Sequence, residues 1–201
     1  MAEARALREP GKRMRSRLLD AAVDLFKARG AAGVAVAEIA AAAGAYPSQV
    51  TYYFRTKEAL FVEAACREVL YVARQAEIAA AGAATGSAYN RRLIETVIGS
   101  PGLALFVEAL SVTRRRQDLA PLIERTFERL HAEGDRAYAE TRQRRGWSGA
   151  EEAGTVARRF WTLALGVALR EGATGATMDD AVEEMAALLR HTPPKSRSGD
   201  A

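Results

Sequence analysis

The chain has one cysteine, Cys66, and two histidines, His131 and His191. A lone thiol excludes an internal disulfide, and neither histidine has cysteines or carboxylates at ligand spacing, so no metal is expected. Cys66 reads as a small buried or half-buried helical residue. Long apolar runs are missing as well. The longest uncharged run, Ile39 to Phe54, is interrupted by Gly44, Pro47, Ser48 and Gln49, so no membrane span is expected. No apolar stretch follows Arg5, Arg8 and Lys12, so no secretory signal is expected, and the chain reads as cytoplasmic. There is no Gly-rich phosphate loop, no His-Glu metal pair, no Gly-x-Ser-x-Gly and no pair of acids in an apolar frame. Neither catalysis nor a cofactor is therefore expected. No stretch alternates apolar and polar residues over strand length between turn signals, and the expected fold is all-α.

What is present is a 49% hydrophobic composition over 201 residues, enough to bury a core in one compact unit or two small ones. The charge is uneven. Residues 1–60 hold ten Lys and Arg against six Asp and Glu, while residues 61–201 hold nineteen of each, so the whole net charge of +4 lies in the first third. Such an asymmetry suits an end that meets a polyanion, although a solvated basic face gives the same excess.

Helical periodicity runs throughout. Leu18, Leu19, Ala22, Val23 and Phe26 form an apolar stripe, closed by Arg29 and Gly30, which predicts a first helix over 13–29. Val36, Ile39, Ala40 and Ala43 mark a short second helix ending at Gly44, with Ala35 where a polar cap would stand. Pro47 suits the first position of a third helix ending at Phe54, and Gln49 falls where a capping-box side chain sits. Thr56, Lys57 and Glu58 open a long fourth helix. The segment 82–87 is the expected domain break, and further helices are expected over 88–98, 102–115, 119–145, 150–171 and 178–190. This divides the chain into a basic arm over 1–12, a helix-turn-helix unit over 13–60, a larger helical unit over 61–190 and a disordered tail over 191–201. The arm either adds contacts to a nucleic-acid backbone or is disordered.

The stretch GAYPSQVTYYF, residues 44–54, holds three of the six tyrosines, and no acid occurs between Glu38 and Glu58. Two short helices about a Gly-containing turn have the size of a helix-turn-helix, whose second helix enters the DNA major groove. At 100° per residue Val50, Tyr53 and Phe54, with Tyr46, fall on the side to be buried, and Ser48, Gln49, Thr51 and Tyr52 cover the opposite arc. Gln pairs with adenine edges, Ser and Thr serve several bases, and Tyr hydroxyls suit phosphates. Arg55 and Lys57 stand at the groove mouth, and the amides opening the fourth helix favour a phosphate. A helical adaptor using the Tyr-rich helix as a protein-docking surface is the rival. Salt separates the two, since only a DNA binder loses duplex affinity steeply with ionic strength.

RLLDAAVDLFKARG, then VAEIAAAAG, then VTYYFRTKEALF resemble the N-terminal domain of the TetR (tetracycline repressor) family, over about residues 14–63. The resemblance implies a homodimeric all-helical regulator that binds a palindromic operator in double-stranded DNA and is released by a small-molecule effector. Carried over by position, Ala37, Tyr46, Pro47, Ser48, Gln49, Thr51, Tyr52, Tyr53 and Lys57 fall where such proteins contact DNA. The family usually has Ser or Thr where Ala35 and Tyr46 stand, so the base preference does not carry over.

Dimerisation is expected from stripes in the last two helices, Val156, Phe160, Leu163 and Val167 with Val182, Met185, Leu188 and Leu189, able to close a four-helix interface across a two-fold axis. Leu103, Phe106, Val107, Leu110, Phe127, Trp147 and Trp161 are an apolar supply for the effector cavity that the resemblance implies, or core. Arg114, Arg115 and Arg116 face a ligand carboxylate or water.

Overall fold

The computed structural model describes the backbone of residues 2–147 and 154–190 and the side chains of residues 10–147 and 154–189; the expected tail at 191–201 lies outside them. Regular structure among the described residues is all helical: α1 (Ala2–Arg29), α2 (Val36–Ala42), α3 (Pro47–Phe54), α4 (Lys57–Ala80), α5 (Gly86–Ile98), α6 (Pro101–Thr113), a 3-10 turn (Gln117–Leu119), α7 (Ala120–Arg145), α8 (Val156–Thr174) and α9 (Met178–Arg190).

α1 carries the expected stripe inward, with Leu18, Leu19, Ala22, Val23 and Phe26 all buried. It differs from expectation at its start. Helical backbone begins at Ala2 and runs through Pro10, where the sequence starts the first helix only at residue 13. Pro10 removes one backbone donor, but Glu3 to Arg8 are all strong helix formers and Lys12 to Arg15 continue the run.

α4 is the spine of the molecule and packs on α1, α5, α6 and α7. Its N-terminal half is fastened to α1 by an edge-to-face contact of Phe26 and Phe61, centroids 5.1 Å apart, and by ion pairs. Arg15 meets Glu63 at 2.6 Å, Lys27 meets Glu68 at 2.8 Å, and Asp20 pairs with Arg67. Glu68 is buried, so Lys27 neutralises a carboxylate that water barely reaches. On the far side α6 lies so close that a Cβ at Gly102 would stand 2.8 Å from Glu68 Cγ and Val72 Cγ2. One apolar core therefore runs from Leu18 of α1 to Leu189 of α9. A small satellite holds Ala80, Ala83 and Tyr89, with Tyr138 and Trp147 against it.

Caps account for the other shifted boundaries. Thr85 Oγ1 accepts the Ala88 amide at 3.2 Å and starts α5 inside the expected break. Ser100 Oγ accepts the Gly102 amide at 3.1 Å and places Pro101 at the first position of α6. Gly172 does not stop α8, which ends only where Gly175 turns left-handed at φ 69°.

Candidate functional site

α2 and α3 meet through a Schellman turn. Gly44 takes φ 60°, the Ala45 amide donates to the Ala40 carbonyl at 2.8 Å, and the Gly44 amide donates to that of Ala41 at 3.0 Å. A Cβ-bearing residue would be strained at Gly44, which explains its place in the motif. Neither short helix has a polar N-cap; each is held by the residue at its third position. Glu38 Oε2 accepts the Ala35 amide at 2.7 Å while its Oε1 accepts from Arg29 at 2.8 Å, and these two bonds hold the Glu38 carboxyl below its usual range. Gln49 Oε1 accepts the Tyr46 amide at 3.0 Å, the return half of a capping box.

The outer arc of α3 is open as expected. Pro47, Ser48, Thr51 and Tyr52 are exposed, Gln49, Tyr53 and Lys57 are half-buried, and Ala37 on α2 is exposed beside them. Val50 and Phe54 are buried, and Arg15 of α1 covers the Phe54 ring at 4.8 Å from its centroid. Tyr53 packs partly on the core, with the Tyr52 ring edge-on to it at 5.0 Å. Tyr46 departs from the buried side assigned to it and is 77% exposed. It is the N-cap residue, with extended backbone at φ −93° and ψ 149°, so the 100° helical phase does not reach it. Tyr46 and Tyr52, 79% exposed, thus present two phenols to solvent on either side of the hydroxyls of Ser48 and Thr51.

The exit from α3 was not legible in the sequence. Arg55 has φ 65° and ψ −51°, and the Thr56 amide donates to the Phe54 carbonyl at 2.8 Å, which makes a strained γ-turn centred on a residue with a Cβ. The turn delivers Thr56 to the N-cap of α4, where its Oγ1 accepts the Ala59 amide at 3.1 Å. Arg116 reaches the same corner. Its guanidinium grips Asp118 with two bonds of 2.9 and 2.8 Å, and its Nη1 lies 3.5 Å from Thr56 Oγ1 and 3.6 Å from Glu58. Arg116 therefore joins the α6–α7 connection to the start of α4, a role the sequence reading did not give it; the Arg-x-Asp spacing was the available signal.

A family model described as bacterial regulatory proteins, tetR family, matches residues 18–64, and one described as bacterial transcriptional repressor C-terminal matches residues 86–190. The chain belongs to the TetR family. A transcriptional regulator from Rhodococcus sp. RHA1 is 38% identical, with 88% of this chain and 93% of that one covered at a TM-score of 0.76. A TetR-family regulator from Mesorhizobium loti MAFF303099 is 19% identical, with 90% and 95% covered at 0.66. EbrR, a multidrug binding protein solved with imidazole, is 24% identical, with 90% and 92% covered at 0.57. These last two share the fold. No curated protein matches the chain by sequence. As a TetR-family member it is a DNA-binding transcriptional regulator, and no single helix among its described residues is long and apolar enough to cross a membrane.

In this TetR-family chain a partly open cavity of about 100 Å³ lies between α4, α5, α7, α8 and α9. Of the residues nominated for an effector, Trp161 lines it. Leu103 and Phe106 are buried core, Phe127 stacks edge-on to Phe106 at 5.5 Å, and Val107 and Leu110 are half-buried on α6. Trp147 belongs to the satellite cluster, its ring 5.8 Å from that of Tyr89 and its Nε1 donating to the Ala84 carbonyl at 3.3 Å. Nomination by apolarity favours the best-packed residues, which leave no space. The cavity wall instead carries Glu77, Glu133, Asn90, Tyr89 and Tyr138, which that criterion passes over. Glu77 could have been noticed as a charge beside Ala76 on the inward face of α4. Burial pushes its carboxyl up from the usual range, and burial likewise pushes the Tyr89 phenol up to about 12.

The nominated dimer stripes need a similar correction. Phe160, Val167, Val182, Met185 and Leu189 are buried within the single chain, Val156 lines the cavity, and Leu163 is half-buried, leaving Leu188 exposed. The more apolar face of each helix goes to the chain's own core. The outward ridge of α8 is Thr162, Gly166, Leu169 and Ala173, all exposed, with Leu188 exposed on α9.

Proposed function

We propose that the protein is a homodimeric repressor without catalytic function. In this reading α3 of each protomer enters the major groove of one half of a palindromic operator, and a small molecule bound in the helical unit releases the DNA. The unit over 13–60 holds the operator, and the unit over 61–190 dimerises and holds the effector. Such a protein works in the cytoplasm, where the DNA is.

One observation carries the reading: the outer arc of α3 is open, acid-free and hydroxyl-rich while Val50 and Phe54 anchor its back. Tyr46, Pro47, Ser48, Gln49, Thr51 and Tyr52 then meet bases and backbone, with Ala37, Tyr53 and Lys57 toward the phosphates. The outward ridge of α8 supports pairing, because Gly166 sits in the middle of the helix with nothing of its own chain near its open side. Ligand release is supported by α4, a single helix of 24 residues with Lys57 beside the DNA face and Glu77 in the cavity wall. At about 1.5 Å per residue it forms a rod about 36 Å long, and Arg116 touches its start. The similarly folded EbrR is described as multidrug binding.

Selecting bound duplexes from a random pool tests the reading. The expected product is a palindrome whose half-sites lie about 34–36 Å apart or a multiple of that. Recovery of duplexes with no shared sequence, or binding indifferent to salt, would remove it.

A further inference from the structure

The chemistry of the cavity wall narrows the effector to a class, on the reading that the helical unit binds one. Three kinds of group converge there. Glu77 from α4 and Glu133 from α7 bring two carboxylates. Tyr89, Tyr138, Phe160 and Trp161 bring aromatic rings. Leu93, Val97, Leu130 and Leu189 bring aliphatic surface. The Glu77 side chain is 18% exposed, and its ion partner Arg74 stands 3.7 Å away with 67% of its own side chain in water. Glu133, whose side chain is 43% exposed, pairs with Arg129 at 3.1 Å. Both carboxylates line the cavity.

The charged groups acting on Glu77 are Arg74, Glu133, Arg136 and Glu140. Of these only Glu133 lines the cavity together with Glu77; Arg159 of α8 lines it as well, so two carboxylates against one guanidinium leave the wall one net negative charge. A buried carboxylate beside aromatic faces attracts a weakly hydrated cation twice, by its charge and by the ring quadrupoles. A hydrated inorganic ion gains nothing from the rings or the leucines.

We infer that the cavity between α4, α5, α7, α8 and α9 is the seat of an organic ammonium headgroup, held by Glu77 with Glu133 and faced by Tyr89, Tyr138 and Trp161, so that the effector is an amphiphilic organic cation. Size agrees with a headgroup rather than a whole drug. About 100 Å³ is below the roughly 300–1,000 Å³ of drug-sized sites. A second cavity of about 220 Å³ between α5 and α9 shares Asn90 and Leu189 with the first, so the two adjoin across those side chains and the second is where a tail would extend. Burial raises the Glu77 carboxyl, and a cation bound beside it would favour the charged form.

The test compares decyltrimethylammonium, decanoate and decanol on the full chain, below micelle-forming concentrations, by calorimetry and by the fluorescence of Trp161 and Trp147. The expected order places the cation at least tenfold tighter than either of the others. Glu77→Gln is expected to weaken the cation at least tenfold and leave decanol within twofold. Decanoate binding tighter than the cation to the unmodified chain would overturn the inference in favour of an acid seated at Arg159, whatever the variant does. A Glu77→Gln chain that melts cooperatively and holds the cation as before would overturn it too. Operator release is measured separately. Cation binding without release keeps the seat and removes ligand relief, while operator binding with no cation binding removes the seat and keeps the DNA-binding reading.

Discussion

Gly166 offers the sharpest test of how two copies meet. It lies in the middle of the 19-residue α8, where glycine is the poorest helix former after proline. A Cβ there would meet nothing within 4 Å in its own chain. In a monomer Gly166→Ala would gain about 0.8–1 kcal/mol from helix propensity alone, and each kcal/mol raises the melting temperature by about 2–4 °C at this length. If instead the α8 ridges of two protomers cross at Gly166, a bulky side chain enters a close contact. Overpacking costs about 1–3 kcal/mol at each site, and the two-fold axis counts it twice, about 2–6 kcal/mol per dimer. At about 1.4 kcal/mol per tenfold, Gly166→Leu then weakens dimerisation by at least about 25-fold. Gly172→Ala is the control, since Gly172 also has nothing within 4 Å and lies on another face of α8. Sedimentation velocity over a wide concentration range reads the dimer, and circular dichroism reads the helix. Gly172→Ala should stabilise without touching assembly. A Gly166→Leu chain that is stabilised and dimerises as tightly as the parent would refute the crossing.

Four further outcomes are expected. Gln49→Ala should cost about 1–3 kcal/mol on the selected operator and relax its base preference, checked by competition between matched and random duplexes; equal losses on both would sink the base-reading role. Lys57→Ala should weaken all duplexes alike and make the slope of log K against log salt shallower by about 0.9, so an unchanged slope argues against a phosphate contact. Lys27→Met leaves the buried Glu68 carboxylate without its partner at 2.8 Å and should cost about 2–4 kcal/mol in urea unfolding, with Glu68→Gln in the same chain recovering most of it; a loss below about 0.5 kcal/mol would contradict the burial argument. Because burial raises the folded-state Glu77 carboxyl, its charge opposes folding at neutral pH, and this opposition fades as pH falls through the raised value toward the unfolded value of about 4. Glu77→Gln should therefore melt higher than the parent at neutral pH and converge with it in acid, and a lower melting point at neutral pH would count against it.

What was legible in the sequence follows periodicity. The stripe Leu18, Leu19, Ala22, Val23 and Phe26 and the pair Val50 and Phe54 are buried because helical phase decides which side of an amphipathic segment faces the core. Phase fails where the backbone leaves the helix, which is why Tyr46 turned outward. Hydrophobicity alone also misdirects. Phe160, Val167 and Met185 are apolar enough for an interface and are consumed by the chain's own packing, while the ridge left outside contains Thr162 and Gly166. A cavity is harder still, because it exists where packing is incomplete and no residue type marks that. Its polar members Glu77 and Glu133 come from helices 56 residues apart in the chain.

The missing caps of the two short helices bear on function. With Ala35 and Tyr46 at the cap positions, no cap side chain accepts the opening amides of α2 and α3, and only the return half of each capping box is made, by Glu38 to the Ala35 amide and by Gln49 to the Tyr46 amide. Glu38 faces Arg29 and is tied within the protein. Gln49 is different, because its Oε1 holds the Tyr46 amide while the residue belongs to the arc of α3 proposed to meet DNA. To read adenine with both atoms it must share or release that bond, which loosens the first turn of α3 as the base contact forms. If Gln49 reads adenine, its discrimination is expected to be reduced by about the 0.5–1.5 kcal/mol of a hydrogen bond. Tyr46→Ser, which supplies a cap hydroxyl for α3, should free Gln49 and sharpen adenine preference in a duplex selection, at the loss of the Tyr46 phenol contact. If Tyr46→Ser leaves the selected bases unchanged and only weakens binding, the cap and the base contact are independent, and Gln49 serves DNA through its nitrogen alone.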